Sequence, residues 1–481
     1  MQGNALLFIG RDEQGKHLFV AASSEKEPVA LLFNGEPVNG SILGNGFFTW
    51  RCPLDHGNAL RLRDVFPFTS PVLLGLDDSF GFGDRLGIAN PAHLRSLAGS
   101  HMRPILAQQS IRELDRTRRT AEDVLDAASW AAFQEGFTAG FGADADHLKT
   151  TDDIDRYARA GFTMFTFDPS AHVINEAATL PMNDVHRLAR EKQTGDLDFE
   201  ETMLRYAGQT IRLDDGSVIQ PDSEQIARAF LKYGSVIAYA RLLYRYLKST
   251  YPRLKSEVEL SVDETDIPTT PTEHLLIASE LKRLGVTLVS LAPRFIGDFE
   301  KGVDYRGDLS AFAAEYRLHA GIAKKFGPYK ISIHSGSDKF GVYRTIGSLR
   351  LGNVHVKTAG TSYLEALRTI ARVEPPLIRD ILDFARSRYE EDRKSYHVTG
   401  RLDRVPVAEG CSDAGLLALF DQHDARQVFH VTFGKVLTET GPDGNRRFYE
   451  RIMTALDLHE EEHYETIIRH FRKHLDPFAR S

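Results

Sequence analysis

Between Glu257 and Asp263 the chain alternates two chemistries: Val258, Leu260 and Val262 fall on one parity, Glu257, Glu259, Ser261 and Asp263 on the other. In a strand, alternate side chains point to opposite faces, so one face here carries carboxylates where a packed interior carries branched aliphatics. Burying an unpaired carboxylate is costly, and a metal, a cation or a proton must compensate it. The same parity test turns Thr166 and Asp168, Ser290 and Arg294, Ser332 and His334, and His355 and Lys357 to one side of four other apolar runs. Asp146 and His147 belong at the same level, at the end of a run finishing Asp144-Ala145-Asp146-His147. Histidines and carboxylates converging from separate strands suit a divalent transition metal (zinc, manganese, nickel or cobalt), whose ordinary donors they are. Any one of these histidines alone reads as a satisfied core residue; the set, all at strand ends, reads as a site.

Cations flank that set. Arg112, Lys149, Arg294, Lys339 and Lys357 lie at or just beyond strand ends, which suits an anionic substrate such as a sugar acid. Each by itself is an ordinary surface charge. The turn His334-Ser335-Gly336-Ser337-Asp338-Lys339 adds oxygen-binding capacity, because its glycine allows close backbone approach.

Three other motifs fail on inspection. Gly10 to Lys16 has phosphate-loop spacing, but His17 stands where a Ser or Thr would hold magnesium. Gly81-Phe82-Gly83-Asp84-Arg85-Leu86-Gly87 misses the dinucleotide fingerprint by one position. His459-Glu460-Glu461-Glu462-His463 matches the zinc-protease pattern, yet its charged flanks with Ile467 and Ile468 read as a solvated amphipathic helix.

The positioning elements follow from apolar runs and helix signals. Eight short strands read at Pro71 to Leu76, Pro104 to Gln109, the run through Ala143 to His147, Phe162 to Phe167, Glu257 to Val262, Val286 to Leu291, Lys330 to Ile333 and Asn353 to Val356. Helix starts separate them: Asn90-Pro91, Thr120 with Asp123, Thr150 with closure at Gly161, and capping boxes at Thr270 to Glu273 and Ser362 to Glu365. This alternation predicts an α/β fold, a (β/α)8 TIM-like barrel; a doubly wound sheet is the alternative. A charged helical insertion after the fourth strand covers Asp184 to Tyr251. The expected partition is a small β-rich segment over 1–65, with runs at Ala5 to Ile9, Leu18 to Ala21 and Val29 to Phe33, a catalytic barrel over 66–372, and a mostly helical extension over 373–481. That extension includes one strand-like run, Gln427 to Phe433.

The bulk numbers bound the function. With 481 residues, 42% of them hydrophobic, the chain can bury a large core. Lys plus Arg number 59 against 67 Asp plus Glu, a net charge of −8, which disfavours nucleic acid as partner. Cys52 and Cys411 are too few and too far apart for a disulfide framework. No apolar run reaches the length of a membrane span or a secretory core, so the expectation is a cytoplasmic protein without membrane partner. The oligomeric state is not legible.

Six segments in order resemble the tagaturonate epimerase family of hexuronate metabolism: the Gly81 to Gly87 run, Ala107 to Glu113, Gly142 to Lys149, Val262 to Thr265, Leu291 to Phe295 and Ile333 to Lys339. They span roughly Pro71 to Arg372, most of the chain. The resemblance implies a metal-dependent epimerase that interconverts D-tagaturonate and D-fructuronate. The inverted carbon of these acids is β to the ketone, so removal of an α-proton cannot invert it, whereas retro-aldol cleavage, rotation and re-addition can. It implies Asp146 as proton acceptor, with His147 and His334 as metal ligands. Glu300 is taken as third ligand over Asp168. Glu259, which parity points inward, is taken as second acid/base over Glu264, which parity turns outward unless the strand has already ended. Ser110, Arg112, Lys149, Asp263, Arg294 and Lys339 are the expected substrate contacts. A metal-dependent sugar-acid aldolase and a catalytically silent sugar-acid-binding barrel are the competing readings.

Overall fold

The computed structural model describes residues 5–38 and 47–479. An antiparallel sheet comes first, with strands β1 (Ala5–Asp12), β2 (Gly15–Ala22), β3 (Glu36–Pro37) and β4 (Phe48–Cys52) in the order β1-β2-β4-β3. The run Val29 to Phe33 is instead a short 3-10 turn over Ala30–Leu32. This sheet packs through Leu18 and Val20 into a small apolar cluster that includes Trp130 of the helix Ala121–Gln134.

The central element is a closed parallel barrel of β5 (Ser79–Phe82), β6 (Arg103–Ser110), β7 (Gly142–Leu148), β8 (Met164–Phe167), β11 (Glu257–Val262), β12 (Ser290–Pro293), β13 (Lys330–Ile333) and β14 (Val354–Thr358). Closure rests on β14 pairing with β5, His355 opposite Ser79 and Lys357 opposite Gly81, which excludes the doubly wound sheet. The barrel class is therefore as expected, but its first strand is not. Pro71 to Leu76 is loop, and the strand falls eight residues later on Ser79–Phe82, inside the glycine-rich segment. The small residues Ser79 and Gly81 let this strand sit against its neighbours: a Cβ on Gly81 would lie 1.9 Å from Gln108 Oε1. The sixth strand likewise begins at Ser290, later than Val286.

Helix starts follow the local chemistry in most places. Thr120, Thr150 and Thr270 each form a full capping box, with Asp123, Asp153 and Glu273 reaching back to the cap N–H. Gly161 closes its helix in the left-handed conformation, φ 96°. Ser362 to Glu365 forms no box: the cap of Thr361–Val373 is Gly360, with no side chain to offer, and Ser362 donates to the Gly83 carbonyl instead. The insertion after β8 comprises the helices Met182–Lys192 and Phe199–Tyr206, a hairpin of β9 (Ile211–Arg212) and β10 (Val218–Ile219), and the helix Ser223–Thr250.

The strand-like run Gln427 to Phe433 is helical: Gln427 to Val431 end the helix His423–Val431 and Phe433 opens the next, Phe433–Thr438, with Val428, Phe429, Val431 and Phe433 in one apolar cluster. The pattern His459 to His463 straddles a break between the helices Tyr449–Leu458 and Glu460–Leu475. His463 is not solvated as expected but buried, with Glu460 paired to Lys16. The same final helix lays Phe471 against Phe80 and Phe82, so the end of the chain seals the outside of the first barrel strand. Burial of each such ring is worth roughly 2–3 kcal/mol.

Candidate active site and metal centre

At the carboxyl ends of the strands lies a cavity of about 570 Å³. Its floor is an ion-pair cluster within the barrel. Lys357 Nζ stands 2.6 Å from Asp144 Oδ2, 2.8 Å from Asp146 Oδ1 and 2.9 Å from Glu259 Oε1. It also donates to Thr166 Oγ1, which donates onward to Asp144. Burial opposes any charge here, yet the three carboxylates hold the Lys357 ammonium well above the ordinary lysine range. Burial raises Asp144 to about 6. Asp146 and Glu259 are buried too, but their cationic neighbours, Lys357 among them, keep both well below the usual carboxylate range. Parity in β11 thus located a charged interior correctly, and Lys357, expected to face the substrate, is the residue that compensates it.

Above this floor two imidazoles share one arrangement. His334 Nε2 lies 2.6 Å from Glu259 Oε1 and its Nδ1 3.3 Å from Asp263 Oδ1. His147 Nδ1 lies 2.8 Å from Asp146 Oδ1 and its Nε2 3.9 Å from Asp263 Oδ1. Each ring therefore turns one nitrogen to a buried carboxylate and the other toward Asp263, the outer-shell pattern of metal-binding histidines. Burial disfavours the charged ring of His147, but Asp146, Asp263 and Asp168 outweigh it and carry the pKa up to about 10; His334 is raised also, by Asp263 and Glu259 against burial.

One donor atom from each of His147, Asp263 and His334 falls within 4.8 Å of the others, close enough to share an ion. With both rings neutral, Asp144, Asp146 and Glu259 share the Lys357 ammonium and Asp263 adds a further negative charge, an excess that a divalent cation would largely cancel. The residues present therefore fit the group, with two nitrogens and one oxygen.

Consecutive residues Asp146 and His147 both line the cavity, which strict alternation forbids. The register of β7 against β8 shifts between Ala145 and Leu148, and His147 takes a left-handed backbone, φ 59°. That conformation costs a non-glycine residue about 1–3 kcal/mol and is held where the surroundings over-determine it. Ser335, next to His334, is left-handed as well, φ 51°.

Among the expected residues, Ser110, Arg112, Asp146, His147, Asp263, Arg294 and His334 line this cavity. Lys149 is half exposed, 3.1 Å from Asp168 Oδ2 and 3.7 Å from Glu264 Oε2.

Three expectations are corrected. Glu300 is not brought to the two histidines: its carboxylate accepts hydrogen bonds from Thr399 and Gln427 of the C-terminal extension, and the carboxylate that groups with His147 and His334 is Asp263. Lys339 is fully buried, with its ammonium spent on the backbone carbonyls of Glu300, Val303 and Ser337, so it ties two loops together and does not line the cavity. Glu259 belongs to the buried floor cluster, bonded to His334 and Ser290, and is not among the cavity's lining residues, whereas Glu264 lines the cavity, because β11 ends at Val262 and parity no longer applies beyond it.

Sequence reasoning missed Lys301, Arg85 and His430, all of which line the cavity. Lys301 donates to Ser335 Oγ at 2.6 Å from a loop with no readable pattern. Arg85 stood inside the glycine-rich motif, and His430 inside the run taken for a strand.

A family model described as tagaturonate epimerase (UxaE) matches residues 1–478. The tagaturonate/fructuronate epimerase of Thermotoga maritima is 44% identical over 470 residues, 98% of this chain and 93% of that relative. The native crystal structure of fructuronate-tagaturonate epimerase UxaE from Cohnella laeviribosi is similar with a TM-score of 0.92 at 39% identity, covering 99% of this chain and 94% of that one. A complex of the same enzyme with two glycerols gives a TM-score of 0.93 at 38% identity, covering 100% and 95%.

Proposed function

The chain belongs to the tagaturonate epimerase family, and from that premise we propose that it interconverts D-tagaturonate and D-fructuronate at a divalent metal ion, by reversible cleavage of the bond beside the inverted carbon. The observation that carries the metal requirement is the convergence of His147, Asp263 and His334, each imidazole backed by its own buried carboxylate. These three would hold a divalent cation, which would supply a Lewis acid to polarise the ketone.

The protein's own groups do the rest. Asp146, on the cavity floor, takes the proton of the hydroxyl on the carbon β to the ketone. The bond between the α and β carbons breaks, its electron pair passes to the ketone fragment as an enediolate, and the β carbon becomes an aldehyde. The aldehyde turns its other face, the enediolate adds back, and the new alkoxide recovers its proton. Glu264, on the cavity wall, serves as the second proton carrier; Glu259 acts through His334 as a positioning residue. Arg112, Arg294 and Lys301 supply positive charge for the acid. Lys149, outside the lining, orders the rim through Asp168 and Glu264.

The working compartment on this reading is the cytoplasm, in keeping with two free cysteines, Cys52 and Cys411. Among the described residues no helix is long and apolar enough to cross a membrane.

Purified protein loaded with zinc or manganese, incubated with tagaturonate and followed by NMR, tests the reading. Fructuronate is the expected product. Net accumulation of three-carbon fragments would make it an aldolase, and no change would make it a binding barrel. Activity that is lost to a strong chelator and restored by metal is expected; indifference to the chelator would remove the metal from the proposal.

A further inference from the structure

One corner of the substrate cavity is built from parts that the metal group does not use. Arg85 is 3% exposed; its guanidinium lies 3.6 Å over the ring of Phe433 and its Nε donates to Glu113 Oε1 at 2.9 Å. With the plane so fixed, Nη1 is left without a hydrogen-bond partner among the described residues. His430, 1% exposed, has no partner on either ring nitrogen. Both side chains line the cavity.

They meet at Gly360. A Cβ there would lie 2.5 Å from His430 Nδ1 and 3.0 Å from Arg85 Nη1, so only a glycine fits between them. Gly360 is also the cap of the thirteen-residue helix Thr361–Val373 that follows the last barrel strand, and among the described residues no side chain caps its first N–H groups. Thr361 Oγ1, buried at the same turn, is unpartnered as well. Unmet buried donors are expensive in a folded protein, and a helix N-terminus with a guanidinium beside it is matched to an anion.

We propose that the corner formed by Arg85 and His430, beside the Gly360 helix terminus, is the seat of the substrate's carboxylate, and that it retains the aldehyde-acid fragment while its aldehyde turns. The seat deepens the epimerase reading and rests on it. After cleavage the aldehyde-acid fragment is no longer joined to the ketone fragment, and its carboxylate and its one hydroxyl remain to hold it. A carboxylate gripped at one end leaves the aldehyde carbon free to rotate, which an epimerase needs and an aldolase does not. Lys301 adds charge: burial first, then Arg85 and Lys301, hold the His430 ring well below its usual pKa, so it enters as a neutral donor.

The test compares His430→Ala and Lys301→Met with the unaltered enzyme on two substrates: tagaturonate, and tagatose, in which a hydroxymethyl group replaces the carboxylate. Turnover and fragment release are followed by NMR, and tagaturonate binding by calorimetry. A roughly 10- to 100-fold fall in kcat/KM for tagaturonate, carried mostly by KM, is expected. Tagatose should change by less than about threefold, and free three-carbon fragments should rise. His430→Asn, which retains a donor, should recover part of the loss. Equal falls on both substrates, or none, would overturn the seat while leaving the epimerase standing. An unaltered enzyme that binds tagaturonate in a His430-dependent way but does not turn it over would keep the seat and refute the epimerase. Absence of both binding and turnover in that enzyme would overturn both.

Discussion

His334 Nε2 is 2.6 Å from Glu259 Oε1, a contact wholly buried beneath the substrate cavity. The carboxylate sets which nitrogen of the ring is left for Asp263 and a metal. Glu259→Gln keeps the volume and removes the charge. Outer-shell losses of this kind cost about 10- to 100-fold in metal affinity. Calorimetric titration with zinc should show that fall, with activity partly regained at saturating metal; an unchanged affinity would show that Glu259 does not orient His334.

Asp263 and Glu300 make opposite predictions. Asp263→Asn removes the only carboxylate among the three converging donors, so stoichiometric metal binding should be lost. Glu300→Gln should bind metal as the unaltered protein does, while chemical denaturation shows a loss of about 1–3 kcal/mol from its bonds to Thr399 and Gln427. The reverse pattern would restore Glu300 as the ligand.

Lys357 compensates Asp144, Asp146 and Glu259 at once. Lys357→Met leaves buried carboxylates without their cation, which typically destabilises by about 3–5 kcal/mol. Urea unfolding measures it. A loss under about 1 kcal/mol would mean that protonation, Asp144 first, replaces the lysine at little cost.

Buried histidines outside the cavity lining set the acid limit. Burial lowers His319 to about 3 and His463 to about 4. Their unfolded-state pKa is about 6.5, so below that pH the unfolded chain binds more protons and stability falls as pH falls toward 4. Each contributes a loss of about 2 kcal/mol by pH 5. Among the described residues the His463 ring has no hydrogen-bond partner on either nitrogen, so His463→Leu should flatten the dependence between about pH 6.5 and 4.5. A variant curve parallel to that of the unaltered protein would refute the assignment.

The amino-acid sequence by itself determined the barrel class, because strand and helix periods alternate and three threonine capping boxes are local chemistry. It also determined that the interior is charged, since parity within β11 is a property of the strand alone. Parity stops being informative where a strand ends or bulges, so it misplaced Glu264 and could not foresee that His147 turns beside Asp146. The first strand was misplaced for a related reason: Ser79–Phe82 is held by its neighbours on both sides and has too few aliphatics to announce itself.

Which cation meets which anion was decided only by tertiary structure. Lys339 and Lys357 look alike in sequence, yet one is consumed by backbone carbonyls and the other by three carboxylates. Asp263, and not Glu300, stands with His147 and His334 because barrel closure converges the ends of the alternate strands β7, β11 and β13, with β8 and β12 between them, while the extension captures Glu300. His430 reaches the cavity from residues far along the chain, and no spacing rule relates it to Arg85 and Gly360. Such contacts depend on closure and on the docking of the extension, which are set by the packing of the whole chain and not by any local segment.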